Sequence, residues 1–598
     1  MSLPLEDYAL IGDTQSAALV GRDGSIDWLC LPRFDSAACF AALLGTADNG
    51  RWQLAPRGAS GAVRRRYRDN SLVLETEFST PEGVVRVIDL MPVRDRCPDV
   101  VRIVEGVSGR VDMRMDLTIR FDYGQIVPWV RKLDGRLHAI AGPDALILAT
   151  GVTTRGENLT TVAEFAVSAG DQVPFVLTWC PSYGETPDSI DPLAALDDTD
   201  RWWRQWVARG CPPKQHRDEV VRSLITLKAL TYGPTGGIVA AATTSLPETI
   251  GGERNWDYRF AWLRDATFSL YALMNNGYRE EAAAWRDWLL RAVAGDPSKL
   301  QTMYGVAGER RLDEREVQGL CGYEGSRPVR IGNAAAGQLQ LDVYGEVIDT
   351  LYQARHLGLP HEPAEWNFER ALLSWLETGW NSKDEGLWEV RAERRNFTHS
   401  KVMAWVAMDR AVKAIEHQGM EGPVERFRAL RDEIHREVCK RGFDSELGTF
   451  TQSYGAKVVD ASLLLMPAVG FLPGSDRRVI GTVAAVEREL LRDGFVQRYP
   501  TAGGQNLDGL SGAEGAFLAC SFWLADAYAL VGRRADALAL YDRLLAVRND
   551  VGLLSEEYDV TRRRLVGNFP QAFSHVALVN TARNLADASG PAKQRRGS

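Results

Sequence analysis

Long apolar runs are missing from this 598-residue chain. No stretch approaches the roughly 18 residues that a membrane-spanning helix needs. The opening, "MSLPLEDYALIGDTQSAALVGRDG", carries Glu6, Asp7 and Asp13 where a signal peptide would have a basic region and then an apolar one. Basic blocks are missing as well: 70 Lys and Arg are spread among 79 Asp and Glu, for a net charge of −9. That distribution leaves no nucleic-acid footprint. Cys30, Cys39, Cys97, Cys180, Cys211, Cys321, Cys439 and Cys520 are scattered without a CxxC pair. A disulfide framework and the usual zinc spacings are therefore excluded, and reduced thiols in the cytoplasm are expected. There is no GxxxxGK[ST] loop, no GxGxxG after a strand and no HExxH helix, so no cofactor and no metal is expected. A GxSxG nucleophile elbow is also absent. Asn158-Leu-Thr and Asn396-Phe-Thr match the glycosylation pattern, which carries no weight without secretion.

What is present changes character partway along the chain. Up to about residue 195 the apolar residues have period two. "MRMDLTIRFDY" sets Met113, Met115, Leu117, Ile119 and Phe121 on one face and Arg114, Asp116, Thr118, Arg120 and Asp122 on the other, a half-buried antiparallel strand. Hairpin turns are expected at Pro81-Glu82-Gly83 and at Asp23-Gly24. Repeated short strands of this kind predict a β-sandwich over 1–195. A linker helix over 196–215 ends at Pro212-Pro213. From 216 the period becomes 3.6, with about twelve helical segments beginning near 216, 259, 279, 341, 362, 398, 423, 460, 475, 513, 533 and 570. Short links alternate with long glycine-rich ones, as in helical hairpins closed into a ring with the long loops at one rim; the pattern alone leaves an irregular bundle open. The helical domain is expected over 216–590, followed by a disordered tail over 591–598.

One short stretch, "GERNWDYRFAWLRDA", crowds Trp256, Tyr258, Phe260 and Trp262 among Arg254, Asp257, Arg259, Arg264 and Asp265. A pyranose ring offers apolar C–H faces to aromatic rings and in-plane hydroxyls to an adjacent Arg and Asp, one donating and one accepting. A buried Arg–Asp pair knitting a helix to the core would look the same. Carboxylates supply the remaining chemistry. Glu389 in "DEGLWEVRAERRNFTHSK" follows Trp388, whose indole can desolvate it and raise its pKa, as a general acid requires. Glu556 in "GLLSEEYDVTRRRL" lies in the last long loop beside Glu557. For both, an ion pair with neighbouring arginines is the alternative. His399 and His575, each near a helix start, are read as hydrogen-bonded structural histidines.

"NWDYRFAWLRDA", "LWEVRAERRNFTHSKVMAW", "RYP" at 498–500 and "LLSEEYD", in that order, together resemble glycoside hydrolase family 15, the family of glucoamylases, glucodextranases and bacterial trehalases. The resemblance spans nearly the whole chain, including "GSIDWLCLPRFDS" near its start. It implies a β-sandwich, a linker and an (α/α)6 barrel with the site at the loop rim. It implies further that Trp262, Arg264 and Asp265, with Tyr258 upstream, hold the terminal sugar, that Trp388 lies on the substrate beside the acid, and that Arg498 contacts substrate hydroxyls. Glu389 becomes the general acid and Glu556 the general base. The chain departs from the family pattern at Val390, where fungal glucoamylases have a second acid, and at Glu557, where many members have Gln.

The expected activity is exo-acting, inverting hydrolysis of small α-glucosides: trehalose first, malto- or isomalto-oligosaccharides next. An inverting pair leaves room for one water, with carboxyl groups about 6.5–9.5 Å apart. Glu514 in "LSGAEGAF" is the reserve candidate for the acid. Two rivals remain: a disaccharide phosphorylase of similar architecture, which needs only one carboxylate, and a sugar-binding protein without catalysis. The expected partner is a small oligosaccharide, with no nucleic acid and no membrane; the sequence leaves the oligomeric state unassigned.

Overall fold

The structure, a computed structural model, describes residues 2–58, 61–500, 508–510, 512–586, 590, 592 and 595. The amino-terminal part is antiparallel throughout. Its centre is one 20-residue strand, Asp99–Thr118, long enough to belong to both layers. Its first half pairs with Gly83–Leu90 and Gln172–Pro181, and its second half with Arg51–Pro56 and Thr160–Ser168. Along the second half Val111, Met113, Met115 and Leu117 are buried, and the residues between them are partly or fully exposed until Thr118. Strand neighbours Thr80 and Gly83 close one expected hairpin, and the strands Ala17–Gly21 and Ser25–Cys30 flank the other.

The linker helix, α1 (Pro192–Ala208), starts where Asp191 accepts hydrogen bonds from the backbone of Leu193 and Ala194, with Pro192 in the first turn. Trp206 on α1 stacks on Tyr278, ring centroids 4.1 Å apart, and donates its indole N–H to Glu281 at 2.7 Å.

Then come α2 (Arg217–Ala229), α3 (Leu263–Asn275), α4 (Arg279–Ala292), α5 (Asp342–His356), α6 (Pro363–Gly379), α7 (Thr398–His417) and α8 (Val424–Arg441). A 3-10 turn, Ala461–Leu465, takes the place of one helix. It is followed by α9 (Arg477–Leu490), α10 (Leu518–Leu530), α11 (Arg534–Leu545) and α12 (Ala572–Ala586). The contacts α3–α5–α7–(461–465)–α10–α12–α3 close a ring, with α2, α4, α6, α8, α9 and α11 outside it. The expected sandwich-then-barrel order is borne out, and so is the closed ring over the irregular bundle. Inner helices such as α10 are apolar nearly all round, as helices enclosed on every side must be.

Many contacts join the domains, among them Arg65 with Asp550 and the Tyr323 hydroxyl with the Leu3 carbonyl, and two more come from buried side chains. Trp28 donates its indole N–H to the Ala242 carbonyl at 2.9 Å. Arg259, fully buried, is clamped by Asp257 at 2.7 and 2.8 Å and reaches across to the Ser36 carbonyl at 2.8 Å and the Tyr123 hydroxyl at 2.9 Å. Of the tail over 591–598, Ala592 and Arg595 are described and both are buried, Arg595 Nε lying 2.7 Å from Asp349 Oδ2 of α5; the other positions lie outside the described residues. No helix among the described residues is long and apolar enough to cross a membrane.

Candidate active site

Four of the long connections lead into inner helices, and each brings one of the motif residues. Trp262 is the residue before α3, and Arg264 and Asp265 lie in its first turn. Glu389 lies between α6 and α7, Arg498 between α9 and α10, and Glu556 between α11 and α12. Because helix starts point their free N–H groups toward this rim, polar side chains and ligands gather there.

Two aromatic side chains from the crowded stretch each hold one carboxyl group. The Tyr258 hydroxyl donates to Glu556 Oε1 at 2.7 Å, and the Trp262 indole N–H donates to Glu389 Oε1 at 2.7 Å. The two rings meet edge to face with centroids 5.2 Å apart. Glu556 accepts a second hydrogen bond at Oε2 from the backbone of Asn568, 3.2 Å away. Donors on both oxygens work toward the ionised form, but burial outweighs them and the pKa stands raised to about 8. Glu389 Oε2 has no donor among the described residues, which leaves it able to carry a proton. Burial raises the pKa of both groups. For Glu389, Arg264 and the Trp262 bond pull the other way. For Glu556, nearby Glu248 adds to the rise, while Arg498, Tyr258 and the Asn568 N–H oppose it.

Backbone conformation is specialised at both positions. Glu389 itself has φ 56°, a left-handed conformation uncommon for a residue with a side chain and concentrated at functional sites. Gly567, φ 75°, passes so close to Glu556 that a Cβ there would lie 2.6 Å from Glu556 Cβ and 2.7 Å from Oε2. Only glycine fits.

These groups surround a cavity of about 730 Å3, its open mouth included, a size typical of small-molecule sites. Tyr258, Trp262, Arg264, Asp265, Trp388, Glu389 and Arg498 line it. Glu556 stands behind Tyr258 and does not line the wall. Arg264 bonds the Leu387 carbonyl at 2.7 Å and Asp265 at 3.0 Å, and lies 3.6 Å from Glu389 Oε1. The pair is thus both the structural knot and part of the cavity wall. Trp388 is pinned by its indole N–H, 2.8–2.9 Å from the Asp460 carboxylate oxygens, and packs on Phe517 and Trp523.

Sequence reasoning missed part of the lining. Glu248, Arg254, Trp256, Arg391 and Asp508 also line the cavity. The Trp256 ring lies beneath the guanidinium of Arg391 at 4.1 Å and of Arg330 at 4.6 Å. Glu248 in "SLPETI" belongs to no pattern, and Arg254 and Trp256 were visible only as part of the crowded stretch. The oxygens of Glu248, Glu514 and Glu557 approach within 4.8 Å of one another, close enough to hold a cation. Arg498 Nη2 already contacts all three, at 2.7, 2.7 and 3.2 Å, so a guanidinium is the cation of this cluster. The reserve candidate Glu514 is committed there. His575 accepts the Leu554 N–H at 3.2 Å and meets the Ser223 hydroxyl at 3.0 Å, a structural arrangement. His399 departs from the expected hydrogen-bonded histidine: it is buried in α7 with no partner at either ring nitrogen among the described residues, and burial with nearby Arg264 lowers its pKa to about 3.

Comparison with known proteins places this geometry in a family. The model of glycosyl hydrolases family 15 matches residues 214–583, and a trehalase-like N-terminal domain matches residues 1–186. A trehalase of Mycobacterium tuberculosis is 39% identical over 628 aligned residues, covering 98% of this chain and 91% of that protein. A trehalase of Thermoplasma volcanium is 34% identical, covering 98% and 94%. A bacterial glucoamylase solved in complex with acarbose superposes with TM-score 0.73 over all of this chain and 97% of its own, at 12% identity, and so shares the fold. The chain belongs to glycosyl hydrolases family 15.

Proposed function

We propose that this family member hydrolyses α,α-trehalose with inversion, releasing one β-glucose and one α-glucose. The observation that carries this reading is a pair of carboxyl groups held by neighbouring aromatic donors: Glu389, in the cavity wall, bonded by Trp262, and Glu556, just behind that wall, bonded by Tyr258. Full-length similarity to trehalases supports the choice of substrate.

In this mechanism Arg264 and Asp265 grip hydroxyls of the sugar at the cavity floor, and Trp262 and Tyr258 lie against its edge. Glu389, protonated, gives its proton to the oxygen joining the two glucoses. Glu556, ionised, takes a proton from a water on the opposite face as that water bonds to the anomeric carbon. The attacked glucose leaves as the β anomer; the departing glucose keeps its α configuration. Each carboxyl ends in the other's starting state, and solvent exchange resets both. Arg498 and the Trp256 wall serve the departing sugar. The same reading places the enzyme in the cytoplasm, in keeping with eight unpaired cysteines.

The deciding experiment follows trehalose, maltose, isomaltose and panose by proton NMR from the first seconds of reaction. Equal initial α and β signals from trehalose are expected. Glucose 1-phosphate in phosphate buffer would point to a phosphorylase instead, and α-glucose alone to retention.

A further inference from the structure

We propose that Glu557 is a positioning residue that works in its neutral, protonated form, holding Arg498 in place without drawing on its charge. The inference rests on the site assignment above and adds a role for a residue outside the reacting pair.

The argument begins with a charge imbalance. Glu248, Glu514, Glu557, Asp508 and Glu556 are all buried, and the arginines among them are Arg498 and Arg254. Arg254 is committed to Asp508 at 2.5 Å and Glu514 at 3.3 Å. Arg498 Nη2 is shared by three carboxyl groups. Buried carboxylates in such excess take up protons rather than remain charged.

Hydrogen bonding decides which one does. Glu514 receives Arg498 at both oxygens, at 3.2 and 2.7 Å. Glu248 receives Arg498 and the Trp256 indole N–H. Asp508 receives Arg254, the Tyr499 hydroxyl and the Leu510 N–H. Glu556 has Tyr258 and Asn568. Among the described residues Glu557 has no hydrogen-bond donor at either oxygen, and its one favourable charge contact is the 3.2 Å approach to Arg498 Nη2. The groups facing it are Glu248, Glu514, Arg498 and Glu556, with the Cys520 thiol from α10. Burial, then Glu248, push its pKa well up, in the same direction. A neutral carboxyl here leaves the Arg498 charge to Glu248 and Glu514 and spares Glu556, the preceding residue in the chain, a second like charge.

The test is Glu557→Gln in the full chain, read by trehalose kinetics, by melting temperature from pH 5 to 9 and by infrared difference spectroscopy. Glutamine keeps the shape and loses only the ionisable proton. Activity within about threefold of the parent is expected, because no charged partner is lost. The folded parent holds a proton that its unfolded chain releases above the ordinary carboxyl range, so its stability falls as pH rises. The Gln variant should therefore gain melting temperature over the parent, increasingly at higher pH. The parent-minus-variant infrared spectrum should show a protonated-carboxyl C=O band. A variant with at least about a hundredfold less kcat/KM, a lower melting temperature at every pH and no such band would mean an ionised Glu557–Arg498 pair and overturn the proposal. If trehalose is not a substrate, the proposed function fails, while the melting and infrared results still decide the state of Glu557.

Discussion

Tyr258 and Glu556 are 298 residues apart in sequence, and the phenol donates to the carboxylate at 2.7 Å. The hydrogen bond ties the crowded aromatic stretch at the start of the barrel to its last long loop. It stabilises the charged form of Glu556, opposing the burial that favours the neutral one.

Replacing Tyr258 with Phe removes that donor. The Glu556 pKa should rise, and the acidic limb of the kcat/KM profile should move to higher pH by about one unit, the size expected for one hydrogen bond to a charged group. A pH profile of initial rates on trehalose checks it; an unmoved limb would detach that limb from Glu556.

Neutralising either reacting carboxyl should cost far more. Glu389→Gln and Glu556→Gln are each expected to lower kcat by about 10²–10⁴-fold or more with little change in melting temperature. Glucose release assays and thermal melts on the same preparations separate lost chemistry from lost folding. Near-normal turnover by Glu389→Gln would overturn the acid assignment.

Gly567→Ala touches no substrate. Its Cβ would collide with the Glu556 side chain and demand φ near +75° of alanine. We expect kcat to fall at least about tenfold, since a displacement near 1 Å can cost about a hundredfold. Retained affinity for a glucose-like inhibitor, measured by calorimetry, would show that the sugar grip survives.

Arg259→Ala breaks a fully buried ion pair and strands Asp257. A loss of about 3–5 kcal/mol of stability is expected. Denaturant unfolding measures it.

Much of this was legible in the sequence because periodicity reports burial directly. The alternation from Val111 to Leu117 marks a strand buried on one face, and the helix starts read from the 3.6 period fall within a few residues of those observed. Trp262, Arg264 and Glu389 could be picked out because unusual residue types cluster locally. Glu248, Asp508 and Gly567 could not. Each matters through a neighbour more than 10 positions away — Arg498, Arg254 and Glu556 — and no local pattern encodes such a meeting. Arg259 was visible only as one of the charges in the crowded stretch, and its role as a tie to the amino-terminal domain shows only in the contacts with Ser36 and Tyr123.

Those contacts bear on how such enzymes can be re-engineered. Arg259 adjoins Tyr258, so the amino-terminal layers act as a brace on the loop that carries Tyr258 rather than as detachable cargo. A barrel expressed alone, or grafted onto a relative's sandwich, would inherit a differently seated Tyr258, and with it a differently held Glu556.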